Sequence, residues 1–477
     1  MRDVSVSHLL FISIIHMLPS SLDLESLCSF YSSGGSPLEL FNFLYARILA
    51  DGNSYGCIWI HLRPLRDILD LIDNLPPYNN VEYPLWGVPF SVKDNIDVAL
   101  LPTTAACPSF SYLPKRSAHV VSLLEEAGAI CFGKTNLDQF ATGLNGTRSP
   151  YGFCSSAFNA EYIAGGSSSG SAVSVSLQHV SFSIGTDTGG SGRIPAALNN
   201  IVGLKPTCGT LSSNGLVPCC PSIDCPSIFA LSVSDASHIA SIMHRTNISD
   251  PTLRDRHEFA EFSSIHSSPI GSIFHPFDSD LEFFGNIEGQ SLYLDFLASL
   301  RLKGFNLSGF DFSPLLEAGS FLFDGAFLAD RLLSIGSVLN SSNHPDVLET
   351  TTSIVSKAES FSGSDVFSAF ARLKIIQAYS KNLLRNNNIF IFPTVAPLYT
   401  VDQVVANPVD LNTNIGHYSY FANVLDLSAL SVPIGFYSNG MPFGVTLMAL
   451  PFQDCLLSHF AQTILNTDLH PLGKSRI

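Results

Sequence analysis

The sequence predicts an α/β fold, one large sheet covered by helices in a single domain. Three observations carry this. Strand-like and helix-like stretches alternate between residues 86 and 133. Two strand-like runs, "LSALSVPIGF" and "PFGVTLMAL", return near the end of the chain, so both ends are expected to close one sheet. The 477 residues are 46% hydrophobic and only 13% charged, ample for a large core and thin for an extended solvated surface.

Residues 1–21 read as a loosely ordered extension. Arg2 and the apolar run after it resemble a weak secretory signal, but Asp3 spoils the basic end and His8 and His16 interrupt the run. The run is too short to span a bilayer. A cytoplasmic location is therefore expected, with a targeting segment as the alternative. Residues 22–75 read as helices. In "SPLELFNFLYARILA", Ser36 serves as N-cap, Pro37 fits the first turn, and Leu38, Phe41, Leu44, Tyr45 and Ile48 recur at helical spacing. "LRDILDLIDNL" repeats the pattern. Residues 86–96 read as a strand running into a loop, and "SAHVVSLLEEAGAICFGKTN" as a helix stopped at Gly128 before a strand at 129–133. Residues 235–390 read as mostly helical, with one strand at "NIFIFP". The domain is expected to span 22–465, followed by a tail at 466–477.

The net charge of −16, with no basic run, argues against nucleic acid as a partner. Nothing past the first residues approaches a membrane span. The ten cysteines are scattered, and the dense group Cys219, Cys220 and Cys225 lacks the histidine of a common zinc spacing, so free thiols in a reducing compartment are expected. The sequons at Asn145, Asn247, Asn306 and Asn340 read as chance occurrences in an Asn- and Ser-rich chain.

Chemistry concentrates around two serine-rich stretches. "GGSSSGSAVSVSLQHV" starts at Gly165 and reads as glycines, then a helix beginning near Ser168. "SFSIGTD" follows as a strand. A helix of about 12 residues advances about 18 Å, and a strand of about 6 residues returns about 20 Å. If the two run antiparallel, Ser167 before the helix and Ser191 after the strand meet in space. In "GTDTGGSGR", Gly189 and Gly190 let successive N–H groups turn toward one point, a nest for a developing oxyanion, with Thr188, Gly189, Gly190 and Ser191 as donors. Ser191 at its centre is the natural nucleophile.

A serine nucleophile needs a base. None of the 14 histidines falls in a catalytic motif, and only His417 lies in a motif-like stretch. Lys93 ends the buried-looking run "GVPFSVKDN", and an amine held in an apolar site loses its proton more easily. Ser167 would then bridge Lys93 to Ser191. Each signal has a plainer reading in isolation. The glycine-rich loop could cradle a phosphate, although no GK[ST] follows it. "GSSSG" formally fits a nucleophile elbow centred on Ser168, but no Asp and His follow in motif-like settings. Lys93 could be a solvated residue past a strand, and Arg331 a surface residue on an amphipathic helix. Asp187 and Arg193 suit a structural role, holding the loop by charge-assisted bonds.

Taken together and in order, "GVPFSVKDN", "GGSSSGSA", "GTDTGGSGR" and "GLKPTCG" resemble the amidase signature family over roughly residues 22–465. The resemblance implies a large twisted mixed sheet with helices on both faces. It also implies a triad with Lys93 as base, Ser167 as a shuttle on a cis peptide bond and Ser191 as the acyl-accepting nucleophile, with no metal or organic cofactor. "NNIVGLKPT", "SIDCPSIFAL", "TNLDQFATGLNGTRSPYG" and "NIGHYSYFANVLDL" are similar to the allophanate hydrolases, including the amidase part of fungal urea amidolyases. That narrower resemblance implies release of ammonia from a small anionic amide, allophanate. It implies an anchoring arginine, Arg331 in "LFDGAFLADR", and Gly192 in place of a bulkier residue beside the nucleophile, leaving room for a planar substrate. It also implies a urea carboxylase partner, with a homodimer as the expected assembly.

The chain departs from the family pattern at Phe323, where a tyrosine is usual, and at Tyr420, where an asparagine is usual. The smaller C-terminal domain of bacterial allophanate hydrolases has no counterpart before Ile477. A general small-amide amidase or an amidotransferase A-type subunit is the alternative enzyme reading. A pseudo-enzyme partner subunit is the non-enzyme one, against which Lys93, Ser167 and Ser191 speak.

Overall fold

The computed structural model describes residues 18–244, 250–254, 269–339, 341–465 and 472–474. The expectations for residues 1–17, for most of the tail and for the sequons at 247 and 340 lie outside the described residues. Asn145 is buried and its amide donates to Asn412, whereas Asn306 is exposed.

Eleven strands form one mixed sheet: β1 (Trp59–Leu62), β2 (Pro89–Lys93), β3 (Ile130–Thr135), β4 (Phe182–Asp187), β5 (Val202–Lys205), β6 (Cys225–Ala230), β7 (Ile273–Pro276), β8 (Leu307–Phe310), β9 (Ile389–Pro393), β10 (Ser428–Phe436) and β11 (Pro442–Ala449). Their spatial order is β1-β3-β2-β4-β6-β5-β10-β11-β9-β7-β8. The late strands do not close the sheet as expected. They join its two halves from the middle: β10 pairs antiparallel with β5 and with β11, and β11 with β9. Five strands escaped the sequence reading. β1 falls inside the stretch read as helical, β5 and β6 lie between the glycine-rich loop and residue 235, and β7 and β8 fall inside 235–390. β1, β5, β7 and β8 have four residues each, too few to display an alternating pattern, and β6 carries Pro226.

Helices cover the sheet in two groups. Ser169–Ser176 and Ile194–Ala197 touch each other and β2, β4, β5 and β10. Val233–Met243 and Asp454–Ile464 touch each other and β5, β6, β10 and β11. Helix Pro37–Asp51 begins as its cap residues dictate, with the Ser36 hydroxyl accepting from Glu39 N at 3.3 Å. Its buried face is Leu40, Phe41, Leu44 and Ile48, and Leu38 is 45% exposed, so the apolar stripe is rotated from the expected one. Phe41 stacks on Phe132 of β3 at 5.1 Å and Phe90 on Phe182 across β2 and β4 at 5.2 Å. At the other end, Phe310 of β8 stacks on Phe390 of β9 at 4.8 Å.

β3, β2 and β4 run parallel and adjacent, so their carboxyl ends share one edge. Thr135, Lys93 and Asp187 stand there, where ligands bind in open α/β sheets.

Candidate active site

Lys93 ends β2 and is fully buried. Its ammonium donates to Ser167 Oγ at 2.7 Å and to Thr186 Oγ1 at 2.8 Å. No carboxylate is within ion-pair range of it among the described residues. Burial pushes its pKa down to about 8, against the pull of nearby Cys219 and Asp138. An amine so placed loses its proton near neutral pH, as a base must.

Ser167 precedes helix Ser169–Ser176, whose eight residues are all buried. Gly165 takes φ 76°, a region that favours glycine, and the Gly166–Ser167 peptide bond is cis. The helix–strand return is made: Ser168 Oγ donates to the Thr186 carbonyl at 3.2 Å, setting the head of the helix beside the end of β4. Behind Ser167, the Asp138 N–H donates to the Ser167 carbonyl at 3.0 Å. The Asp138 carboxylate collects the N–H groups of Asn145, Gly146 and Arg148 at 3.1, 3.1 and 2.9 Å. Asp138 and Thr186 were not singled out from the sequence. Their signal is a buried polar group that accepts several hydrogen bonds, which local pattern does not display.

Ser191 is 2% exposed, and its hydroxyl makes no hydrogen bond among the described residues. Its loop hangs on Asp187. Oδ1 accepts from Gly190 N at 2.9 Å and Arg193 Nη2 at 3.0 Å, and Oδ2 from Gly192 N and Arg193 Nε, both at 2.9 Å. Burial pushes this carboxyl upward, but Arg193 and the N–H groups hold it below its usual value. The reading of Gly190 as an oxyanion donor needs correction, because its N–H is already committed to Asp187. Gly190 instead supplies the turn, with φ 131°. Thr188, Gly189 and Ser191 remain as candidate donors.

Gly192 also has a different role from the expected one. A Cβ there would meet Ser227 Cβ of β6 at 2.5 Å and Asp187 Cβ at 3.1 Å, so the missing side chain lets the loop close on the sheet rather than making room for substrate. The residue that opens onto the wall of the site is Gly189, where a Cβ would run into Leu322 and meet Tyr420 Cδ1 at 3.2 Å, with Phe323 just beyond.

That wall is aromatic and positively charged. Phe323 packs on Tyr420 with ring centroids 4.6 Å apart, so the two departures from the family pattern touch each other. Arg331 lies over Phe323, its Cζ 4.3 Å from the ring centre. The guanidinium is 0% exposed, donates to Thr142 Oγ1 at 3.1 Å and has a buried, unpartnered Nε. Among the described residues it meets no carboxylate. Arg148 donates to the carbonyl of the same Thr142 at 2.8 Å. Tyr420 spends its hydroxyl on Asn412, donating to the carbonyl at 3.0 Å. Asp224, pushed up to about 6 by burial, accepts from the Thr188 hydroxyl and from Cys219 and Cys220 N–H. His417 packs among Phe284, Phe312 and Tyr418, outside this group.

The chain is 43% identical over 410 residues to urea amidolyase of Saccharomyces cerevisiae, covering 84% of this chain and 22% of that protein. Among solved structures, allophanate hydrolase of Kluyveromyces lactis superposes with a TM-score of 0.84 at 37% identity, over 95% of this chain and 74% of that one. Urea amidolyase of K. lactis does so with a TM-score of 0.87 at 38% identity, over 96% of this chain and 28% of that one. The chain thus spans about a quarter of the urea amidolyases it matches. A family profile described as Amidase matches residues 65–457, and with that extent of match the chain belongs to the Amidase family.

Proposed function

We propose that this chain hydrolyses the terminal amide of allophanate, releasing ammonia through an acyl-enzyme on Ser191. The observation that carries the substrate is Arg331. Among the described residues this fully buried guanidinium makes no ion pair and its Nε has no partner, with the Asp224 carboxylate acting on it only from a distance, so it is expensive unless an anion arrives to pair with it. Its stacking partner Phe323 stands against the nucleophile loop. A small amide carrying a carboxylate at its other end satisfies both features, the guanidinium taking the carboxylate through two parallel N–H bonds. The similarity to allophanate hydrolase supports the same substrate.

In this reading neutral Lys93 accepts the Ser167 proton, and Ser167 accepts that of Ser191 as Ser191 Oγ attacks the amide carbonyl. The N–H groups of Thr188, Gly189 and Ser191 meet the oxyanion, each well-placed donor being worth about 3 kcal/mol. The relay then delivers its proton to the departing nitrogen, and ammonia leaves. Water attacks the acyl-enzyme along the same path, giving N-carboxycarbamate. A partner that carboxylates urea would supply the substrate, in the cytoplasm.

The test is ammonia release by the purified chain from allophanate, from malonamate and from an uncharged amide of similar size. Allophanate turnover that loses most of its kcat/KM in Arg331→Gln is expected. An uncharged amide turned over as well as allophanate, by wild type and variant alike, overturns the substrate and leaves a general amidase. No labelling of Ser191 by a fluorophosphonate would remove the mechanism as well.

A further inference from the structure

Two side chains of the stretch "NIGHYSYFANVLDL" reach the nucleophile loop, and neither has a part in the relay. The Ser419 hydroxyl donates to the Gly189 carbonyl at 2.8 Å and lies farther from the Gly416 carbonyl, at 3.2 Å. The Ser419 carbonyl accepts from Arg193 Nη1 and Nη2, both at 3.2 Å. Asn423, one helical turn on and so on the same side of the backbone, donates through Nδ2 to the Asp187 carbonyl at 2.8 Å and to the Ile223 carbonyl at 3.0 Å. Both residues are buried.

These bonds differ in what they hold. Asp187 and Arg193 stand at the two ends of the loop. The Gly189 carbonyl lies inside it, on the peptide plane that joins the two glycines before Ser191. The other edge of that plane, the Gly190 N–H, is taken by the Asp187 carboxylate at 2.9 Å. In a trans peptide the carbonyl and the N–H point to opposite sides, so the two bonds together fix the plane. Glycine on both sides leaves the dihedrals about it free of side-chain hindrance, so its orientation depends on these bonds. Among the described residues, Ser419 is the one donor to the Gly189 carbonyl. The fit is close: a Cβ on Gly190 would stand 2.4 Å from Ser419 Oγ. The planes before and after carry the N–H groups of Gly189 and Ser191, two of the candidate oxyanion donors. If the middle plane swings, both turn with it.

We propose that Ser419 is a positioning residue for the oxyanion site, its hydroxyl pinning the Gly189 carbonyl and thereby aiming the N–H groups of Gly189 and Ser191. This rests on the reading of Ser191 as the nucleophile, and not on the identity of the substrate. Removing the hydroxyl leaves the Gly189 carbonyl without its donor and one edge of the plane loose, while Lys93, Ser167 and Arg331 keep their own contacts. The loss therefore falls on the transition state, where the oxyanion exists, and not on the bound substrate.

Ser419→Ala and Ser419→Cys, the second keeping the volume with only a weak donor, are compared in the full chain with wild type and with Tyr418→Phe. The Tyr418 hydroxyl belongs to the same turn but holds Glu282, accepting from its N–H at 2.8 Å. Three quantities are measured: steady-state ammonia release, Tm, and the rate of Ser191 labelling by a fluorophosphonate, whose phosphonyl oxygen occupies the oxyanion site. The expected result is a fall of about tenfold in both kcat and labelling rate in the two Ser419 variants, with KM held within about twofold. Tyr418→Phe keeps kcat and labelling rate while its Tm falls. Unchanged kcat and labelling in Ser419→Ala, or a change confined to KM, overturns the positioning role. Labelling slowed as much by Tyr418→Phe as by Ser419→Ala also overturns it, because the turn then acts only as a scaffold. Wild type that does not label at Ser191 removes the nucleophile and this role together, whereas a labelled wild type with unaffected Ser419 variants removes the role alone. Labelling needs no allophanate, so failure of the proposed substrate leaves the comparison standing.

Discussion

The guanidinium of Arg331 lies over the Phe323 ring, its Cζ 4.3 Å from the ring centre, and the same ring rests on Tyr420 beside Gly189. Phenylalanine therefore supports the cation with its face but offers no donor to whatever the cation binds. Phe323→Tyr adds a hydroxyl to that support. The expected outcome is a KM for allophanate lowered about fivefold with kcat little changed, the effect of about 1 kcal/mol from one added hydrogen bond. Steady-state kinetics on the two proteins check it. A KM that stays or rises shows that a hydroxyl on this ring does not reach the substrate.

The base sets the pH profile. Lys93 works when neutral, and burial brings its pKa down to about 8. Its charged form dominates below that value and is inactive. The kcat/KM is therefore expected to rise with pH, roughly tenfold per unit below 8, and to level off above it. Cys219, Asp138, Asp224 and Asp187 all act on Lys93 in the opposite direction to burial. Neutralising one of them, as in Asp224→Asn, moves the acid limb to lower pH. A profile flat from pH 6 to 9 would exclude Lys93 as the titrating base.

The pair Asp187–Arg193 is wholly buried, and four hydrogen bonds end on the one carboxylate. Asp187→Asn leaves Arg193 without its charge partner, a change that costs about 3–5 kcal/mol when such a pair is broken in the interior. Thermal unfolding should show a clear drop in Tm together with loss of turnover. Because the folded carboxyl lies below its usual value of 3.8, its stabilisation is fully present above that pH. It fades only as the pH falls through the depressed value. The wild type should therefore lose stability below pH 4 through this group, and Asp187→Asn should lack that part of the acid transition.

The path from residues to this arrangement was readable where it depends on rise per residue. A helix and a strand of comparable reach bring the chain back on itself, and the Ser168–Thr186 hydrogen bond is that return. It was not readable where one side chain decides between two uses of the same backbone. Gly190 and Gly189 look alike in "DTGGSG", yet the Gly190 N–H belongs to Asp187 and only Gly189 faces the aromatic wall. Gly192 looked like space for substrate and is contact with Ser227. Arg331 looked like a surface residue from its helix alone. Its burial follows from the packing of helix Phe327–Leu339, an outcome of tertiary structure. β1, β5, β7 and β8 were missed for the same reason: four residues carry no period. The longer β6 was missed as well, its pattern broken by Pro226.

Thr186 is the second hydrogen-bond partner of Lys93, beside Ser167. Its Oγ1 accepts from Lys93 Nζ at 2.8 Å and from Asn95 Nδ2 at 3.3 Å, and it belongs to the strand that leads into the nucleophile loop. It stabilises the ammonium over the free amine, because only the ammonium can donate to Thr186 and Ser167 and still keep a proton. Thr186→Val keeps the shape and removes the acceptor. The acid limb of the pH profile is expected to move to lower pH, since the charged form loses a partner, while the plateau kcat falls about five- to tenfold as the amine loses one of its two anchors. The two effects have opposite signs at low pH, so the variant should lag the wild type most on the plateau. A uniform loss at every pH, with the limb unmoved, would mean that Thr186 serves the strand and not the base.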